Sequence, residues 1–510
     1  MYSERGYSMS DFLKKYGLFL SLAILIGMIS LPTPEGLPVA GHHMLALLVS
    51  SVILWMTECV SYPASAAIIL SLMIILLGFA PSVAKPTVMY GTSAALASGL
   101  KGFANTAWAL VGAALFLSIA MTKTGLDKRI ALRVLSLVGA KTNRILIGVI
   151  LTGFALSFFV PSTTARVACM VPIVMGIISA FGVEKKTRFA GILMIATAQA
   201  DSIWNVGIKT AAAQNLIATN FIKQILGYDI SWGEWFIAAL PFSVLMSIAL
   251  YFVLLKMMPP EMKEIPGGQE VIQKELIALG PISRQEMKLM IISVLLLCFW
   301  ILEKKTFGDF GVTGPMAKQL IHHFDTSSIT VIAITIMFLP GINILDWPDA
   351  QNKLAWGTLF LFGIGISLGT AIIDTKAGVW LAKSLVPFFG LTYASSFMIL
   401  AVLALFLIII HLGFASATAL AAAMIPIIIA VLQEVKTPGI NIVGMTMILQ
   451  YVISFGFILP VNAPQNMIAY GTDTFSVKDF IRTGIPLTII AYGLILLLAA
   501  TYWKWLGLVV

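Results

Sequence analysis

The sequence predicts an all-α polytopic membrane protein of two inverted-topology repeats, with about eleven spanning helices and two re-entrant helical hairpins. Three observations carry that fold class. Of the 510 residues, 59% are hydrophobic and 11% are charged, whereas soluble domains carry roughly 25% charged residues. Apolar runs of bilayer length recur from end to end, and the mean hydropathy is +0.97. Three short motifs also occur twice, in the same order and at nearly constant separation.

The apolar runs lie near 17–31, 43–57, 63–80, 105–121, 145–160, 166–182, 189–206, 234–255, 289–302, 327–343, 355–373, 395–414, 419–432, 441–459 and 484–507. Residues 1–43 form an N-terminal segment. Its polar lead, Met1 to Tyr16, precedes the first spanning run, Gly17 to Leu31, and no small-residue cleavage site of the signal-peptide kind follows. Several later runs are too short to cross alone and read as re-entrant or broken helices. The stretch 257–288 is the longest polar one and reads as a connecting loop.

The repeat is explicit in the residues. PSTTARVACMVPI from Pro161 matches ASATALAAAMIPI from Ala415 at an offset of 254. TKTGL from Thr122 matches TKAGV from Thr375 at 253, and AQNLIA from Ala213 matches PQNMIA from Pro464 at 251. The first repeat is therefore expected over 44–256 and the second over 289–510, with 257–288 as a cytoplasmic linker. Basic residues set the orientation. Lys123, Lys128, Arg129, Arg133, Lys141 and Arg144 fall in 123–144, Lys185, Lys186 and Arg188 in 183–188, and Lys256, Lys263, Lys274, Arg284 and Lys288 around the linker. These segments are expected in the cytoplasm, as is the N-terminus. The repeat partner of 123–144 holds only Lys376 and Lys383, beside Asp374, and so is expected on the opposite face.

Each Ser-x-Thr-Ala segment sits between apolar stretches of about 15 residues, shorter than a full span. That pattern predicts a hairpin that enters the membrane, turns and leaves on the same side. The AQN and PQN segments predict unwound breaks within helices. Irregular backbone at membrane depth is tolerated only inside protein or along a wet cavity. Two tips and two breaks converging there would aim helix N-termini and free N–H groups at one anion site.

Other signals are negative or bland. A net charge of +9 is accounted for by basic loops, so no nucleic-acid partner is implied. Cys59, Cys169 and Cys298 make neither a disulfide framework nor a metal set. There is no Walker loop, no His-Glu-x-x-His and no paired-aspartate cluster. Tyr228-Asp229 lacks the partner motif of an intramembrane aspartyl protease. No enzyme, cofactor or metal centre is expected. Gly365 and Gly369 form a GxxxG read as helix packing. His42, His43, His322 and His323 are expected to be solvated at helix ends or loops.

At the tips and breaks the sequence resembles the divalent anion/sodium symporter family of di- and tricarboxylate carriers. The resemblance runs from about residue 44 to 490. That family has a Ser-Asn-Thr motif at each of two hairpin tips and a Thr-Pro-Pro-Asn-like break in each half. The resemblance implies a substrate site made by Ser162, Thr163 and Thr164 at the first tip, Ser416, Ala417 and Thr418 at the second, and Asn215, Pro464 and Asn466 in the breaks. It also implies a homodimer in the cell inner membrane, contacting lipid and moving small di- or tricarboxylates by an elevator motion.

This chain departs from the motif where the family's tip asparagines help hold sodium. Thr163 and Ala417 stand there instead, and Ala417 has no side-chain oxygen to offer an ion. Arg166, His411 and Lys209 lie nearby, and ionisable groups inside a membrane are costly and rarely idle. The expectation is that these fixed basic groups stand in for sodium and make the carrier an exchanger of dicarboxylates such as 2-oxoglutarate, malate, succinate or fumarate, with citrate and tartrate also open. Three alternatives stand beside it: Arg166 pairs structurally with Asp201, His411 is a neutral hydrogen-bonded ring, and Lys209 snorkels to a membrane surface. Sodium-coupled symport and an anion channel are the competing functions.

Overall fold

A computed structural model describes residues 9–139, 141–180, 184, 186–261, 268–301 and 325–510. Among them the regular structure is helical, apart from one isolated bridge between Pro81 and Met89. Helix α1 (Met9–Ser30) leads into a first series: α2 (Val39–Thr57), α3 (Tyr62–Gly78), α4 (Thr92–Leu100), α5 (Thr106–Thr124), α6 (Leu126–Val138), α7 (Thr142–Ser157), α8 (Thr163–Ala180), α9 (Arg188–Gly207), α10 (Ala213–Leu226) and α11 (Trp232–Met257). After α12 (Gly268–Ala278) a second series follows: α13 (Arg284–Ile301), α14 (Thr326–Phe338), α15 (Trp347–Lys353), α16 (Trp356–Asp374), α17 (Ala377–Phe388), α18 (Ser396–His411), α19 (Ala417–Glu434), α20 (Ile442–Ile453), α21 (Pro464–Tyr470) and α22 (Val477–Ala500), closed by a short turn of helix, Tyr502–Trp505. The repeated motifs fall on corresponding helices of the two series.

Local chemistry sets the ends of these helices. Asn105 caps α5 by accepting from the Trp108 amide at 2.9 Å. Ser231 with Glu234, and Ser476 with Asp479, form reciprocal capping boxes at the starts of α11 and α22. Six described stretches are long and apolar enough to cross a membrane: α2, α5, α11, α16, α19 and the run from α22 to Trp505. Shorter apolar helices complete the bundle, and the tips and breaks are bounded by them.

The Gly365/Gly369 pair does what its spacing suggests. A methyl on Gly365 would lie 2.5 Å from the Ala422 Cβ, and one on Gly369 would lie 2.4 Å from Phe221 Cζ. Helix α16 therefore lies close against α19 and α10 at two positions where only hydrogen fits.

The structure corrects two expectations. The linker is not simply a loop, because α12 forms within it. Ile272 and Leu276 bury its apolar side, and Glu275 pairs with Lys128 of α6 at 3.2 Å. The stretch is polar on average, yet Ile272 and Leu276, four residues apart, share one buried helical face. Beside it, Arg129 of α6 pairs with Glu286 of α13 at 2.7 Å and donates to the carbonyls of Leu279, Gly280 and Pro281. Second, His42 and His43 stand at the N-terminal end of α2, as expected, but His42 is buried rather than solvated, with its ring nitrogen 3.3 Å from Thr33 Oγ1. His43 Nδ1 lies 2.8 Å from the Leu76 carbonyl. The apolar run beginning near residue 43 marks only part of that helix. His322, His323, Lys185 and Lys263 lie outside the described residues.

Candidate functional site

Each series contains one hairpin turn. Between α7 and α8 the backbone leaves the helix over 158–162, and between α18 and α19 over 412–416. The hydroxyl before each new helix caps it: Ser162 Oγ accepts from the Ala165 amide and Ser416 Oγ from the Ala419 amide, both at 3.3 Å. Each series also contains one break. Helix α9 stops at Gly207, a short turn covers Lys209–Ala211, and α10 starts at Ala213. Helix α20 stops at Ile453, a turn covers Pro460–Asn462, and α21 starts at Pro464. The residue before each new helix is extended in nearly the same way: Ala212 has φ −150° and ψ 142°, and Ala463 has φ −154° and ψ 142°.

The tips and breaks meet around one cavity of about 320 Å³, within the range of small-molecule sites. Ser162, Thr163, Thr164, Ser416, Ala417 and Thr418 line it from the tips, and Gln214, Pro464 and Gln465 from the breaks. The starts of α8, α10, α19 and α21 border it. Among the described residues no Asp, Glu, Lys, Arg or His lines it; the polar wall is hydroxyls, amides and helix N-termini.

The remaining residues singled out from the sequence stand behind that wall. Asn215 is fully buried and donates through Nδ2 to the carbonyls of Asn205 at 2.6 Å, Ile208 at 3.2 Å and Lys209 at 3.4 Å. Asn466 donates likewise to the Gly456 carbonyl at 2.8 Å. Each asparagine ties its own break together by satisfying carbonyls that the helix has released.

Arg166 is fully buried and joins the first tip to the first break. Its Nε lies 2.9 Å from Asp201 Oδ1. Its other nitrogens donate to the Val160 carbonyl at 2.7 Å, the Ala211 carbonyl at 3.1 Å and Asn205 Oδ1 at 2.6 Å. Lys209 is buried with its ammonium on the Ile230 carbonyl at 2.5 Å. His411 ends α18 and is buried beside Gly456, and its ring nitrogens have no partner among the described residues. The second tip is tied to the second break by Asn462 instead. Its Nδ2 donates to the carbonyls of His411, Leu412 and Phe414 at 2.9, 3.2 and 3.1 Å.

Sequence reasoning missed Asn205, Gln214, Gln465 and Asn462. Asn205 accepts from both Thr163 Oγ1 and Arg166, a role that only tertiary structure reveals. The glutamines had a signal, since both stand inside the repeated AQN and PQN motifs.

Apolar helices that bury two hairpin turns and two backbone breaks around one polar cavity make a multi-pass membrane transporter. The chain belongs to the family described as the sodium:sulfate symporter transmembrane region, which it matches over residues 13–509. A protein of Cupriavidus necator named only "membrane protein" is 53% identical over 96% of this chain and 93% of its own length. The sodium-dependent dicarboxylate transporter SdcS of Staphylococcus saprophyticus is 28% identical over 94% of this chain and 90% of its own length. SdcS of Staphylococcus aureus strain USA300 is also 28% identical, over 91% and 86%. Among solved structures, the YdaH transporter of Alcanivorax borkumensis shares the fold with a TM-score of 0.52 at 14% identity, over 88% of this chain and 99% of that one.

Proposed function

We propose that this protein exchanges dicarboxylates across the membrane without coupling to sodium. The observation that carries the reading is the pair of tip–break junctions. In the first half carbonyl oxygens of the tip and the break converge, and in the second half three carbonyls of the tip do, an arrangement that suits a hard cation. A side-chain donor takes those oxygens, Arg166 in the first half and Asn462, reaching over from the break, in the second. Protein groups alone thereby tie the tips to the breaks. Likeness to the SdcS transporters supports dicarboxylates as cargo.

Charge supports exchange. Arg166 and Asp201 cancel, which leaves the Lys209 ammonium as the buried surplus among the site's basic groups. The N-termini of α8, α10 and α19 each contribute roughly half a positive charge. The empty site leaves this ammonium and these N-termini without a counter-anion, and a bound dicarboxylate supplies one. Uncompensated buried charge is costly in a low-dielectric layer, so return is favoured with another anion bound. In this reading the carboxylates rest on the tip hydroxyls and helix starts, and the repeats 44–256 and 289–510 are inverted about the cavity. The basic segments and the N-terminus face the cytoplasm, and the protein works in the inner membrane as a homodimer with an elevator motion.

The second reading is sodium-coupled symport, favoured by the name of the SdcS relatives. Counterflow in proteoliposomes decides between them. Labelled succinate is expected to enter only vesicles preloaded with unlabelled dicarboxylate, at the same rate with and without sodium. Uptake into vesicles lacking internal anion, driven by a sodium gradient, overturns exchange, and a succinate conductance without trans-stimulation indicates a channel.

A further inference from the structure

The two breaks are hydrogen-bonded to each other through a reciprocal pair of contacts. Gln214 Nε2 lies 3.4 Å from Ser454 Oγ, and Gln465 Nε2 lies 3.0 Å from Ser202 Oγ. Gln214 and Gln465 are matched positions of the AQN and PQN motifs, so each half lends an amide to the other half's helix. The serines are buried and do not line the cavity, whereas both glutamines do.

A glutamine amide has two N–H donors and one acceptor oxygen. The serine takes one donor. Among the described residues no hydrogen bond reaches either Oε1 of this pair, and both side chains line the cavity. The matched pair one helix turn deeper behaves otherwise: the Oε1 atoms of Gln199 and Gln450 are sealed and unpaired. Gln214 and Gln465 therefore each offer the cavity one donor and one acceptor, and Ser202, whose own hydroxyl donates to the Ala198 carbonyl at 3.0 Å, fixes which way the Gln465 amide faces.

A carboxylate is a poor match for that surface, because it only accepts hydrogen bonds and the amide oxygen repels it. A hydroxyl both donates and accepts and satisfies both amide groups. We propose that Gln214 and Gln465 are specificity-determining residues that favour dicarboxylates bearing a hydroxyl on the carbons between the two carboxylates. The inference rests on the dicarboxylate reading above. An anion without the hydroxyl leaves these amide groups unpaired once the cavity closes over it, which is how buried polar sites reject deoxy analogues.

The test is competition against labelled succinate exchange in proteoliposomes by unlabelled malate and unlabelled succinate. The wild type is expected to take malate about tenfold more tightly than succinate. Gln214→Leu and Gln465→Leu are each expected to bring that ratio to within about twofold. Ser202→Ala and Ser454→Ala, which free the amides without entering the cavity, are expected to narrow it partway. A wild-type ratio near one overturns the inference, and so do glutamine variants that weaken both acids equally, the behaviour of a purely structural brace. Exchange of succinate with no malate preference leaves the transport reading standing. Absence of any dicarboxylate exchange removes both.

Discussion

Arg166 and Asp201 form an ion pair with no counterpart in the other half. The repeat sets Leu420 against Arg166 and Val452 against Asp201, and both are fully buried. The second half is thus a natural version of the site with the pair removed. Replacing Arg166 alone by Leu strands a carboxylate that is buried with only one of its oxygens hydrogen-bonded. Removing one partner of such a pair costs about 3–5 kcal/mol, a large part of a typical stability of about 5–15 kcal/mol. Asp201→Val strands the guanidinium at a similar cost. The double change Arg166→Leu/Asp201→Val removes both charges. It forfeits the bonds to the Val160 and Ala211 carbonyls, worth about 1.5–3 kcal/mol each to a charged donor, and recovers the desolvation of two ions. The double variant is therefore expected to be more stable than either single one, with a coupling of about 2 kcal/mol or more. Thermal or denaturant unfolding of all four proteins in the same detergent measures it. Additive losses, or single variants as stable as the wild type, refute the reasoning. Counterflow on the double variant then separates fold from function. Because the first tip is no longer tied to its break, the affinity for succinate is expected to fall at least tenfold, given the precision such sites need.

Gly484 of α22 lets the second break approach, since a methyl there would lie 2.0 Å from the Phe457 carbonyl. Gly484→Ala is expected to destabilise the protein and raise the KM for exchange, while Gly493→Ala on the same helix, where nothing lies within 4 Å, is expected to be neutral or stabilising; equal effects in unfolding and exchange assays refute this. Cys169 is half-buried and lines two neighbouring clefts along α8, one with Ser162 and Thr164 of the tip and one with Lys128 and Glu275. In a Cys59→Ser/Cys298→Ser background, a membrane-impermeant maleimide is expected to label Cys169 from the side of Lys128 and to be slowed by saturating succinate. Labelling only from the opposite side rules out these clefts as the access route.

The sequence carried the fold class because bilayer solvation acts on composition, and it carried the two tips and two breaks because repetition compared each with the other. Ser162 and Ser416 each cap a helix at the matched tips, whereas the AQN and PQN segments, expected to be unwound, open helices at Ala213 and Pro464, and the breaks lie just ahead of them over 208–212 and 454–463. Register was legible only approximately. The TKTGL and TKAGV motifs match at Gly125 and Gly378, yet the left-handed residue that turns the chain is Gly125 in one half and Lys376 in the other. The bond between Asn205 and Thr163, the crossed glutamines and the three carbonyls on Asn462 depend on contacts between distant segments, and no local pattern encodes them. Arg166 shows where the boundary lies. Its cost in a membrane marked it as functional or paired, and the residues alone left both open. The structure has it paired with Asp201 and also joining tip to break. A paired cation adds no net charge but still holds oxygens that an ion would otherwise take. Arg166 therefore bears on the proposed sodium independence through geometry, and the proposed exchange rests instead on the Lys209 charge and the helix N-termini.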